Sequence, residues 1–399
     1  MSSFTIDQHP KLDEFDLEVY FAKYEFNTKY LLCCSDAESM TMKDLLLLAD
    51  EECRQMWDDL WLGYTECWGH PLLRQEVASN FYPGLGAENI RMFAGAEEGI
   101  FCVMTALLSQ DDHAVVITPC YQSLFSLPKS RCAVTPVSLL PSEHWRCDLD
   151  VLRASIQANT KLIVMNWPHN PTGQVPSREH WEGILAIAKE HDLWVFSDEV
   201  YRGLEPNEAL RLPTLASVYE KGLSLGVVSK SIGLAGLRVG WVAGQDQAIL
   251  NAIADVKHYL SICNSAPSEV LALIALRNND VLLNRILSIV RDNLALIDAF
   301  LERWSSIFRW ERPVGGCCGF MEMIDASSIS MDELAKQLVE SHGVLIIPGS
   351  IFNQTKSASP STESAGRNLS NFFRIGFGRK NFPECLEAFE NALNAILKN

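Results

Sequence analysis

Residues 162–201 read LIVMNWPHNPTGQVPSREHWEGILAIAKEHDLWVFSDEVY. Two short apolar runs, 162–166 and 193–197, flank an amphipathic stretch at 178–191 that has Ser177 placed as its N-cap and Glu179 in its first turn. Runs this apolar, without alternation, suit strands covered on both faces. The unit therefore predicts two parallel strands joined by a crossover helix. Similar runs at 114–118, 223–228 and 239–243, with a second helical pattern at 98–108, extend it to an α/β architecture with a largely parallel, helix-covered sheet.

Beyond residue 250 the texture changes to long helical runs through Trp304. Short strands are expected at 319–323, 344–347 and 372–377, and a closing helix from Pro383. This predicts a large unit over 43–279 and a smaller α/β unit built from 1–42 and 280–399. The Ser/Thr-rich stretch 354–366 is expected to be a mobile surface loop.

Composition narrows the function classes. At 399 residues with 48% hydrophobic and 21% charged residues, the chain is long and apolar enough for a sizeable packed core. The 50 acidic residues against 33 basic ones leave a net charge of −17, a field that repels nucleic acid and anionic membrane. The start of the chain has no basic segment followed by an apolar run, and no stretch approaches the length of a membrane span, so a cytoplasmic location is expected. The twelve cysteines are scattered, with no Cys-x-x-Cys spacing, and no His pair has the helical metal spacing. Reduced thiols and no metal site are the expectation.

Three patterns compete for the chemistry. Gly222-Leu223-Ser224-Leu225-Gly226 has the letters of a nucleophile elbow, but its serine opens a strand where an elbow requires it between strand and helix. Gly84-Leu85-Gly86 lacks the third glycine of a dinucleotide loop and reads as a turn, and Gly315 to Gly319 reads as a bend leading into a strand. The third pattern is a series. Asn170-Pro171-Thr172-Gly173, Asp198-Glu199-Val200-Tyr201 and Ser229-Lys230 each follow an expected strand. In a parallel sheet the carboxyl ends of strands face one crevice, which brings Asn170, Asp198, Tyr201 and Lys230 together.

With these motifs the chain resembles the class I/II aminotransferases, pyridoxal-phosphate enzymes of fold type I. The resemblance also rests on Tyr64-Thr65-Glu66-Cys67-Trp68-Gly69 with Leu73-Arg74, Gly95-Ala96-Glu97-Glu98-Gly99, Pro119-Cys120-Tyr121, Gly236-Leu237-Arg238-Val239-Gly240, Pro348-Gly349-Ser350 and Phe373-Arg374-Ile375. It implies a mostly parallel seven-stranded sheet in the large unit and pyridoxal 5'-phosphate as cofactor. It also implies a homodimer with shared active sites, in which Tyr64 reaches the neighbouring subunit's cofactor.

By the same resemblance, Lys230 forms the Schiff base with the cofactor and then acts as the base at the substrate's Cα. Asp198 pairs with the pyridine nitrogen, Tyr201 and Asn170 bond the ring hydroxyl, and Tyr121 stacks on the ring. The phosphate falls to the helix start at Gly95, Ala96 and Glu97, with Ser229 and Arg238 adding a hydroxyl and a charged fork. Arg374 grips the substrate carboxylate. Asn170 also contacts substrate, as does Ser35, which stands in Ser35-Asp36-Ala37-Glu38 where many members have Gly-Glu-Pro-Asp.

The implied activity is amino transfer between an amino acid and a 2-oxo acid. The alternative is a pyridoxal-phosphate lyase or cyclase of the capreomycidine-synthase-like kind, which the Ser35 to Glu38 stretch and Gly63-Tyr64-Thr65-Glu66 resemble; the motifs do not separate reprotonation from elimination or cyclisation. A third, a non-catalytic sensor of aminotransferase shape, lacks the basic DNA-binding module it requires: fewer than 65 residues precede Tyr64 and the chain is acidic. Glu38 and Glu66, expected near the mouth of the site, favour a cationic or neutral polar substrate side chain.

Overall fold

The computed structural model describes residues 12–324, 329–353 and 369–397. The stretch 354–366, expected to be a mobile loop, lies outside the described residues. Seven strands form the main sheet: β1 (Ile90–Phe93), β2 (His113–Thr118), β3 (Ala133–Ser138), β4 (Thr160–Asn166), β5 (Trp194–Asp198), β6 (Gly222–Val227) and β7 (Gly240–Gly244), in the spatial order β1-β7-β6-β5-β4-β2-β3. All pairings are parallel except those of β7, which runs antiparallel to both β1 and β6. The sheet is thus mostly parallel, as the sequence predicts. The central strands are buried along nearly their whole length, which explains their unbroken apolar runs.

The crossover helix Arg178–Glu190 begins where expected, its first turn capped by the Ser177 hydroxyl accepting from the His180 amide. Its buried Trp181, Ile184, Leu185, Ile187 and Ala188 pack on one face of the sheet with Ile163 and Val195. The other face is covered by a helix at Ala96–Leu107 together with residues of the 26-residue helix Asn279–Trp304.

A second sheet of four strands joins Phe308–Trp310, Cys318–Met323, Ile347–Pro348 and Phe372–Gly376. The expected strand at 344–347 is divided: Val344–Leu345 pairs instead with Tyr30–Leu31 in a parallel two-stranded ribbon. That ribbon ties the N-terminal segment to the C-terminal part. Just before it lies α1 (Asp16–Tyr24), a helix the sequence reading left out. Its Tyr20 hydroxyl donates to the Ile346 carbonyl at 3.1 Å, which fixes the helix beside the ribbon.

Candidate active site

Strand register sets the geometry. Asn166 is paired with Asp198, and Asp198 with Leu225, so β4, β5 and β6 end nearly level. The segments carrying Asn170, Asp198 and Lys230 leave the sheet on one edge and line one cavity of about 310 Å³. Ser35, Ala96, Glu97 and Tyr121 also line it, as do Tyr201, Ser229 and Arg238. Gly95 directly precedes the lining residue Ala96, Arg374 donates to the lining residue Asn170, and Tyr64 lies on the outer surface.

Asn166 holds two of the strand-end motifs in register. Its side-chain amide donates to the Asp198 carbonyl at 2.8 Å, and its Oδ1 accepts from the Asn170 amide at 2.8 Å. The Asp198 carboxylate accepts from the Val200 amide at 3.1 Å. Burial pushes its carboxyl up to about 7, partly opposed by that hydrogen bond and by the Lys230 ammonium. A cation placed against this buried carboxyl would return it to the charged form.

Lys230 Nζ donates to the Ser35 hydroxyl at 3.4 Å and lies 5.9 Å from the centre of the Tyr201 ring. The Tyr201 hydroxyl donates to the Ser35 carbonyl at 2.6 Å. Ser35, the position where the sequence departs from the usual glycine, therefore contacts two of the expected catalytic groups. His169, to which the sequence reading gave no role, is buried behind them. Its Nε2 lies 2.7 Å from the Pro119 carbonyl and must carry the proton; Nδ1 then accepts from the Thr172 hydroxyl at 2.7 Å. Burial lowers its pKa to about 4, so this support stays neutral.

The helix at Ala96–Leu107 opens on Gly95, whose φ of +91° suits glycine, and no side chain caps the first turn. A Cβ at Gly95 would come within 2.5 Å of Arg238 Nη2. Free first-turn N–H groups and an arginine fork thus face the same space, the arrangement that binds a phosphate. Ser229 Oγ is buried beside them with no hydrogen-bond partner among the described residues. Glu98 shapes the approach to this turn by accepting from the Ala94 and Ser261 amides.

Arg374 is fully buried. Nε donates to the Cys33 carbonyl at 3.2 Å and Nη1 to Asn170 Oδ1 at 3.1 Å, while Nη2 has no partner among the described residues. A buried guanidinium with an unused donor is costly unless a ligand completes it, and a carboxylate fits its fork. The residues therefore suit pyridoxal phosphate and an amino acid together. The capped-by-nothing helix start, Ser229 and Arg238 match the phosphate, Asp198 a pyridinium, Lys230 the aldehyde carbon and Arg374 the substrate carboxylate.

The chain matches the model of the aminotransferase class I and II family over residues 38–381. It belongs to that family. A capreomycidine synthase of Streptomyces vinaceus is 31% identical over 296 residues, 72% of each chain. A probable aspartate aminotransferase of Methanocaldococcus jannaschii is 26% identical over 356 residues, 87% of this chain and 88% of that one. Among solved structures, a PLP-dependent aminotransferase from Streptococcus suis superposes with a TM-score of 0.87 at 28% identity, covering 96% of this chain and 98% of its own. The family member described here is a pyridoxal-phosphate-dependent aminotransferase of fold type I.

Within the single chain neither Glu38 nor Glu66 lines the cavity. The Glu38 carboxylate accepts from the Lys380 amide at 2.9 Å, and Glu66 is exposed, 3.9 Å from Arg74. Glu66 shares the outer surface of the single chain with Tyr64. The acidic residues that do reach the cavity include Glu18 and Glu25 on and just after α1, which the sequence reading left out.

Proposed function

We propose that this enzyme moves an amino group from an amino acid to a 2-oxo acid, with Lys230 holding the cofactor covalently and serving as the base at the substrate's Cα. The observation that carries the reading is the single edge on which Asn170, Asp198 and Lys230 meet, with Arg374, its Nη2 unused among the described residues, bonded to Asn170. Bound pyridoxal phosphate supplies an electron-withdrawing ring that accepts the electron pair left when the Cα–H bond breaks. Asp198 would keep the pyridine nitrogen protonated, and Tyr201 and Asn170 would bond the ring hydroxyl. Tyr121 would pack on the ring, and Ser229, Arg238 and the Gly95 turn would hold the phosphate. Arg374 fixes the substrate carboxylate, so Lys230 Nζ takes the proton from one defined face.

The working unit is a homodimer in which Tyr64 serves the other subunit's site. Tyr64 is 84% exposed in the single chain; Trp61 and Leu62 beside it in sequence are exposed too, and so are Tyr259 and Leu260 in the loop that leads to Asn264. The two loops that carry them are joined where the Thr65 hydroxyl donates to the Asn264 carbonyl at 2.9 Å. An apolar patch of this kind marks an interaction surface. The twelve free cysteines suit a reducing, cytoplasmic compartment.

A second reading, elimination or cyclisation of an amino acid, is favoured by the likeness to the relative named capreomycidine synthase. One experiment separates the two. Holoenzyme mixed with an amino acid, without any oxo acid, should release a 2-oxo acid once and leave the cofactor in its amine form. Repeated turnover with the cofactor spectrum unchanged would support elimination instead.

A further inference from the structure

The cations around the cavity divide cleanly. Arg379 is bound twice by Asp36, at 2.9 and 2.7 Å. Under the proposed function, Lys230 and Arg238 serve the cofactor and Arg374 the substrate carboxylate. Glu18 and Glu25 have no ion-pair partner among the described residues. Among the described residues the Glu18 carboxylate accepts from the Tyr121 hydroxyl alone, at 3.3 Å, and burial raises the carboxyl of Glu25, with Arg379 partly opposing. A third carboxylate, Glu97, is bonded by the Ser123 hydroxyl and lies toward Arg238 at the phosphate end.

Glu18, Phe21 and Glu25 recur at helical spacing and all face the cavity. The Phe21 ring lies 6.0 Å from the Arg374 guanidinium carbon, so this face borders the place where the substrate carboxylate binds. Two buried polar atoms without a partner among the described residues, Ser229 Oγ in the cavity lining and Arg374 Nη2 on the side chain bonded to the lining residue Asn170, mark this region as built for a ligand.

We infer that the inner face of α1 selects the substrate: an α-amino acid whose side chain ends in a guanidinium or ammonium group, its aliphatic stem along Phe21 and its charge against Glu18 and Glu25. The inference rests on the amino-transfer reading and adds the substrate class to it. With Arg374 occupied by the α-carboxylate, a side-chain carboxylate would meet two like charges and no free cation, whereas a cation would neutralise both.

The test compares L-arginine with L-citrulline, which has nearly the same shape and no side-chain charge, in kcat/KM for 2-oxo acid formation by holoenzyme. The wild-type enzyme should favour arginine by about tenfold or more. Glu18→Gln and Glu25→Gln should each shrink that ratio, and the double variant should bring it close to one, mainly through KM for arginine. These isosteric changes keep an acceptor for Tyr121, and cofactor absorbance reports an intact site. Equal use of arginine and citrulline, a better rate with aspartate, or a ratio unmoved by both substitutions would overturn the inference while amino transfer stands. Failure of every amino acid to yield an oxo acid would overturn both.

Discussion

Arg374 Nη1 donates to Asn170 Oδ1 at 3.1 Å, joining the strand Phe372–Gly376 to the loop after β4. Under the proposed function this bond couples the residue that would anchor the substrate carboxylate to one that would bond the cofactor's ring hydroxyl. Asn170→Ala leaves the guanidinium short of a partner in a fully buried position, at a cost of about 1–3 kcal/mol in stability. It also lets the fork swing. Steady-state kinetics should show KM for the amino acid rising by about tenfold to a hundredfold, with kcat falling as well.

Asp198 gives a pH signature in the cofactor-free protein. Its carboxyl is pushed by burial up to about 7 from an ordinary 3.8, so between those values the folded chain holds a proton that the unfolded chain has released. Stability conferred by that proton is complete at low pH and is lost as pH rises toward and through 7, by an amount on the order of a few kcal/mol. Glu269, also raised to about 7, acts in the same sense. Urea unfolding at pH 5 and pH 8 should show the loss, and Asp198→Asn should remove part of it. In holoenzyme the same variant should lower kcat on the order of 10²- to 10³-fold.

The core of the fold was legible because β2, β4, β5 and β6 are covered on both sides and so are written as short apolar runs. The three motifs behind them followed from one geometric rule about strand ends. Asn166 was not legible as a positioning residue, since an asparagine closing a strand has no signal until its partners, the Asp198 carbonyl and Asn170 amide, are in place. α1 had a signal that went unused: Leu17, Tyr20, Phe21 and Tyr24 recur at helical spacing. That the helix borders a cavity formed by residues a hundred to two hundred positions away is tertiary information, and nine residues interleaved with charges do not announce it.

Glu38 lies outside the cavity lining with its carboxylate held by the Lys380 amide, so Glu38→Gln should change the arginine-to-citrulline ratio by less than about twofold. A larger change would return the selecting charge to Glu38.

Shared sites are tested by subunit exchange. Lys230→Ala mixed with Tyr64→Phe should give mixed dimers in which one site carries both lesions and the other neither. Activity should rise toward about a quarter of the wild-type value after complete one-to-one exchange. No rise with exchange demonstrated would place Tyr64 in its own subunit's site.

The central claim is that Lys230 holds the cofactor. Borohydride reduction of the purified holoenzyme, followed by proteolysis and mass mapping, should find one pyridoxyl group per chain, on the peptide containing Ser229-Lys230-Ser231. A label on a different lysine, or none after incubation with pyridoxal phosphate, would contradict the account.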